Sequence, residues 1–264
     1  MTDPGAKPLD ALPRADFELL AILGSAHQPQ GARVVAREMR DRGFTISEAT
    51  VSRMFKSLDE RGWTRSAGAK GRVLTQAGRE VVATWVEDRR RGRDLGQALN
   101  VRSVEQLLDL LRARRGVESE VARAAATEAG DAEIARLRDL VEGYDAGLAR
   151  GENPLNLSLE FHRALGRYCG NDLLSTLCDT LLGERLDFLE LVLDVITVDH
   201  GTHDQTSPAH AKVLDAVARR DPEAAEAAMR EHLSRLIVEV EAFAAGESSA
   251  TIFPRLLDLV TRTG

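Results

Sequence analysis

The sequence predicts a mainly α protein: an N-terminal winged helix-turn-helix of three helices and a β-hairpin wing, then an antiparallel all-α bundle of six or seven helices. Three observations carry this. Helical periodicity dominates after residue 100, while strand-like alternation is scarce. Charge is unevenly divided: residues 1–94 hold 17 Lys and Arg against 13 Asp and Glu, net +4, and the remainder nets −11. Finally, "HAKVLDAVARRDPEAAEAAMREHL" sets His210 and His232 at equal distances from an Asp-Pro turn. A basic first third joined to an acidic remainder suggests that only the first part meets a polyanion.

Residues 1–11 read as a flexible N-terminus and residues 12–86 as the winged-helix domain. "DFELLAILGSA" is one amphipathic helix, with Phe17, Leu20, Ile22 and Leu23 available to a core, and "GARVVAREMRDRGF" is a second. "TISEATVSRMFKSLDERGW" is the third, because Val51, Phe55 and Leu58 recur at helical spacing. Two residues could cap it: Thr45, in capping-box register with Glu48, and Ser47. After Gly62, "WTRSAGAKGRVLTQAG" offers two short β-capable stretches around a Gly-Ala-Lys-Gly tip.

With the apolar stripe of the third helix turned inward, its outer face presents Glu48, Ala49, Thr50, Ser52, Arg53 and Lys56. Small residues let the helix start enter the major groove closely, Arg53 can donate bidentately to guanine, and Lys56 can take a phosphate. Arg65, Lys70 and Arg72 of the wing suit the DNA backbone or minor groove. Winged helices also serve as protein-interaction modules, but a recognition helix and wing that are basic together favour a double-stranded DNA operator. The expected arrangement is a homodimer reading half-sites about 34–36 Å apart.

A linker is placed at residues 87–104, opening with "EDRRRGRDLGQALN". Residues 105–245 form the bundle, with helical stretches "VEQLLDLLRARRGVESEVARAAATEA", "AEIARLRDLVEGYDAGLAR", "NLSLEFHRALGRYC", "DLLSTLCDTLLGERLDFLELVLDVIT" and the two flanking Asp221-Pro222. That dipeptide reads as an N-cap with proline at the first helical position. His210 precedes Asp221 by eleven residues and His232 follows it by eleven, about 16 Å each way at helical rise. If the helices fold back, the imidazoles meet at one level. Val213, Leu214 and Val217 share a stripe with His210, and Ala225, Ala228, Met229 and Leu236 share one with His232, so both face an interior. Residues 246–264 form a C-terminal extension in which "FPRLLDLVTRTG" suggests a short helix.

Cys169 and Cys178 lie inside helical patterns, which argues against a disulfide framework or a cysteine zinc site. No run of 18 apolar residues suggests a membrane span, and "MTDPGAKPLD" lacks the apolar core of a signal peptide, so the cytoplasm is the expected location. His200 and His203 fall in a loop and read as surface residues.

Residues 17–85 resemble the winged-helix domain at the N-terminus of NrpR-type repressors, above all in "GAR", "TVSRMFKSLDERG" and "GRVLTQAGRE". Trp63 stands where that family has an apolar residue, and is expected to pack the wing onto the body. Residues 105–243 resemble the all-helical FCD effector domain of FadR-type GntR regulators, in "RARRGVESEVARAAA", "FHRALGRYCGN" and the histidine-flanked hairpin. The usual GntR-type DNA-binding domain does not precede it.

In metal-binding members of that family an aspartate, a histidine four residues later and two further histidines hold a divalent ion. The resemblance assigns the histidine positions to His162, His210 and His232, and the aspartate position to Ser158, a departure. Helical spacing still puts Ser158 on the face of His162 with Leu155, Leu159 and Leu165. Three neutral imidazoles suit a transition metal, zinc or nickel foremost, rather than magnesium or calcium. Loss of the carboxylate weakens metal affinity and leaves the site one unit more positive, which favours an anionic effector. A metal-free pocket is the competing possibility within the family. Arg114 matches the arginine of the first bundle helix, implying contact with an effector carboxylate. The function implied is a ligand-responsive transcription regulator, a repressor by resemblance, without catalytic residues. The rival is a three-histidine metalloenzyme carrying an interaction-type winged helix. Against it, no carboxylate is convincingly placed as a general base.

Overall fold

The computed structural model describes residues 13–152, 154–183, 187–199, 206–246 and 253. Expectations for residues 1–11, for His200 and His203 and for most of the C-terminal extension lie outside these. The chain divides into two compact units, Met1–Gly96 and Gln97–Gly264.

In the first unit, α1 (Arg14–Ser25), α2 (Ala32–Asp41) and α3 (Glu48–Glu60) precede a hairpin of β1 (Thr64–Ser66) and β2 (Arg72–Leu74), and α4 (Gln76–Ala98) follows. This is a winged helix. Leu19, Leu20, Ile22, Val35, Met39, Val51, Phe55, Leu58 and Leu74 form its core, so the stripe read in the third helix is the buried one. Phe17 is buried as well, and stacks on Trp85 of α4 at 5.3 Å. Of the two candidate caps, Ser47 is used: its Oγ accepts from the Thr50 amide at 3.1 Å. The strands are antiparallel, with Arg65 opposite Val73. Gln30 adds a bridge by exchanging two backbone bonds with Arg72 at 3.0 and 2.9 Å. That close approach requires Gly71, at φ +114°, where a Cβ would lie 2.3 Å from the Gln30 carbonyl carbon. Trp63 packs against the core, with the start of α4 pressed on its backbone.

The segment expected as a linker is helical through Ala98, and the boundary between the units falls inside α4. The second unit begins at α5 (Val104–Glu128), capped by Ser103, and continues with α6 (Asp131–Ala149), α7 (Leu155–Tyr168), α8 (Asp172–Leu181), α9 (Asp187–Asp199), α10 (Thr206–Ala218) and α11 (Pro222–Ala245). These are seven helices among the described residues. α5 runs along α11 and also meets α7, α8 and α10. The single helical stretch expected over residues 172–197 is two helices. α8 closes at Leu182, whose carbonyl accepts from Arg163 of α7, a tertiary cap that periodicity does not reveal. Cys169 and Cys178 are buried and free. Phe253 is buried and belongs to the bundle core. Among the described residues no helix is long and apolar enough to cross a membrane.

Candidate metal centre and nucleic-acid interface

The α10–α11 hairpin closes as its sequence requires. The Asp221 side chain accepts from the Ala224 amide at 3.0 Å, and Pro222 opens α11. At the end of α10 the amides of Arg220 and Asp221 return to the carbonyls of Val217 and Ala216, a Schellman arrangement with Arg220 at φ +59°. Arg220 also donates to the Ala129 carbonyl at the end of α5, tying the hairpin to that helix. His210 and His232 consequently meet, with ring centroids 4.8 Å apart. α7 brings His162 to the same point. Its Nε2 lies 3.0 Å from His210 Nε2, and one nitrogen from each of the three rings lies within 4.8 Å of the others. All three rings are buried, and Phe161 stacks on His210 at 4.8 Å.

Behind His162 stands a charged chain of which sequence reasoning named only Arg114. His162 Nδ1 is 2.5 Å from Glu118 Oε2; Arg114 Nε donates to Glu118 Oε1 at 2.7 Å and its Nη1 to Glu190 Oε1 at 2.9 Å. Glu118 is 1% exposed and Arg114 4%. Burial alone would raise the Glu118 pKa, but Arg114 and His162 overcome it and hold the carboxyl at about 2. Burial also disfavours the Arg114 charge, and the two glutamates more than offset that. His210 and His232 are pushed well below the usual imidazole range, first by burial and then by neighbouring histidines, Arg235 and Arg114. They are therefore neutral, the form that ligates metal.

The donor set fits a metal ion. Two nitrogens on one tetrahedral zinc at about 2.05 Å stand roughly 3.3 Å apart, close to the spacing already present between His162 and His210. Among the described residues, His232 Nδ1 is buried without a hydrogen-bond partner. Histidine ligands also characteristically donate their second ring N–H to a carboxylate, as His162 does to Glu118.

A cavity of about 20 Å³ opens beside the rings, bounded by Arg114, Tyr144, Ser158, Glu190, Asp194 and Thr206 among others. The expected site residues Ser158 and Arg114 thus adjoin the histidines, but Arg114 is already bridged by two carboxylates. Tyr144, Glu190 and Asp194 were not foreseen. Glu118 carried a signal: it falls on the buried stripe of α5 with Leu111, Arg114, Val121 and Ala125.

In the first unit Glu48, Ala49, Ser52, Arg53 and Lys56 are exposed and Thr50 half-buried on the outer face of α3. Arg53 donates to Thr50 Oγ1 at 3.3 Å. Arg65 and Lys70 of the wing are exposed, whereas Arg72 Nε donates to Asp59 at 2.8 Å and its guanidinium lies 5.8 Å from the Phe55 ring. Arg72 therefore splints the wing to α3.

Residues 109–235 match the family model described as the FCD domain, and residues 17–82 that described as the Ribonuclease R winged-helix domain. The global nitrogen regulator NrpR of Methanococcus maripaludis is 42% identical over 65 residues, 25% of this chain and 12% of its own. The HTH-type transcriptional repressor NanR of Cronobacter sakazakii is 26% identical over 132 residues, half of each chain. A solved Streptococcus agalactiae GntR has 18% identity and a TM-score of 0.46, covering 85% of this chain and 98% of that one. The chain spans half or less of the length of these curated relatives. Most of the C-terminal unit thus matches the FCD domain model, and the N-terminal unit folds as a winged helix.

Proposed function

We propose that the protein is a DNA-binding transcription regulator whose operator affinity is set by a small molecule bound at the histidine centre of its FCD domain. The observation that carries this reading is the convergence of three buried imidazoles in a domain joined to a winged helix with an exposed, small-then-basic α3 face. Glu48, Ala49, Thr50, Ser52, Arg53 and Lys56 form the surface for the major groove, and Arg65 and Lys70 reach phosphates while Arg72 sets the angle of the wing. The working species is a homodimer in the cytoplasm, and the outcome is repression, as the name of the NanR relative suggests.

His162, His210 and His232 would hold a divalent transition metal, zinc or nickel. When bound, it supplies a Lewis-acidic pole for an anionic group. The effector is a small carboxylate that completes the coordination shell, with hydroxyls of Ser158, Tyr144 and Thr206 bordering its site. Arg114 borders it too, but its charge is answered by Glu118 and Glu190, so attraction for an anion depends on the ion. A space of about 20 Å³ admits an ion or a single water. The shift in DNA affinity cannot exceed the effector's differential affinity for the two arrangements.

Two measurements test this reading. Binding to an operator should weaken steeply with salt, as counterion release requires. His210→Ala should abolish metal uptake and effector response while sparing basal DNA affinity; unchanged metal content would remove the site assignment. Chelator-sensitive turnover without DNA affinity would instead place the chain among metalloenzymes, with Glu190 or Asp194 as the candidate base.

A further inference from the structure

We infer that Glu118 is a positioning residue of the metal centre, supplying through His162 the negative charge that a ligand carboxylate at position 158 would otherwise bring. The inference rests on the reading of the three histidines as metal ligands. Ser158 lies one turn before His162 on α7, is 4% exposed and has no charge. The nearest charge reaching the ring comes from the other side, where Glu118 Oε2 sits 2.5 Å from Nδ1.

Both Glu118 oxygens are committed. Oε1 accepts from Arg114 Nε at 2.7 Å, and Arg114 is itself anchored by Glu190 of α9 at 2.9 Å. A carboxylate held this way cannot turn from the imidazole, so Nδ1 carries the proton and donates it to Oε2. The Nε2 lone pair is left facing His210 and His232. When Nε2 gives electron density to a cation, the ring becomes more positive, and the adjacent carboxylate stabilises that charge without any proton leaving the pair.

A purely structural account is less economical. A buried Arg–Glu pair is weak evidence for stability, because desolvating two charges can outweigh their attraction and well-packed apolar residues serve as well. Here the pair stands among Leu111, Val121 and Ala125 on the buried stripe of α5, at the turn from which Glu118 reaches His162.

The test is zinc affinity of the full chain, measured by competition with a chromophoric chelator. Glu118→Gln should weaken zinc binding about 10- to 100-fold. Ser158→Asp, which restores a direct carboxylate, should tighten it, and in that background Glu118→Gln should cost a clearly smaller factor. Equal losses in both backgrounds, or none in the unaltered chain, would overturn the role of Glu118 while leaving the metal site intact. No zinc uptake by the unaltered chain would instead sink the metal reading itself. Should Glu118→Gln fail to fold, long-range ¹H–¹⁵N spectra of the zinc-loaded unaltered chain decide. Zinc on His162 Nε2 with the proton retained on Nδ1 supports the assignment, and zinc on Nδ1 overturns it.

Discussion

His210 and His232 connect the centre to acid stability. Their folded pKa values lie below the ordinary 6.5, so the unfolded chain binds more protons in the window beneath that value. Stability is then full above about pH 6.5 and falls as pH drops through it, by up to about 1.4 kcal/mol per pH unit for each histidine. Glu118 acts in a separate window, between its ordinary value of 4.5 and about 2, and also loses its contribution on acidification. Urea unfolding of the metal-free chain followed by circular dichroism should show the bundle weaker at pH 5.5 than at pH 7.5. Equal stability would mean that the rings do not share a dry interior. Residue type and spacing made the hairpin histidines legible, because equal arm lengths and apolar companions define both level and face. Glu118 was only half legible: its register puts it on the stripe of Leu111, Arg114, Val121 and Ala125, but in "RARRGVESEVARAAA" charges lie thickly enough to read as a solvated face, and the packing of α7 on α5 shows which are enclosed.

Among the elements, the wing depends most on one backbone position. Gly71→Ala would put a methyl 2.3 Å from the Gln30 carbonyl carbon and force a side chain to φ +114°. At Gly43, φ +88°, nothing lies within 4 Å, so Ala there meets only the backbone strain, about 1–2 kcal/mol. Gly71→Ala should therefore cost more than Gly43→Ala in urea unfolding. Both tryptophans, Trp63 and Trp85, belong to the first unit, so fluorescence reports it separately. Equal midpoints for the two variants would show that the Gln30 bridge is dispensable. The Asp221-Pro222 cap was legible because its punctuation is local, whereas at the start of α3 the sequence left Thr45 and Ser47 open and the structure uses Ser47. Periodicity ran through residues 172–197 as one stretch, and the donation from Arg163 to the Leu182 carbonyl, where α8 closes, is a contact from another helix that periodicity does not carry.

At the scale of the whole molecule, the joining of a winged helix to an all-α bundle was legible from charge division and periodicity, and the likeness of that bundle to an FCD domain from resemblance alone. The size of the internal cavity was not, since side-chain volumes are fixed only by packing. Binding to the native state alone stabilises it by mass action, about 2.7 kcal/mol at a free concentration of 100 times Kd. Zinc should accordingly slow amide exchange in α7, α10 and α11, and leave α1 to α3 unaffected. Unchanged exchange in α7 and α10 would separate the histidines from any ion.

The hairpin around Asp221 behaves as a pair of calipers whose jaws must stay equal. One residue inserted between Val213 and Leu214 would advance the chain about 1.5 Å and swing His210 some 100° around its axis, away from its partners. The same residue inserted beside Arg220, outside both helices, would leave the jaws in opposition. Metal titration of the two insertions should find the first inert and the second competent, so what this turn transmits is a tally of residues more than their chemistry.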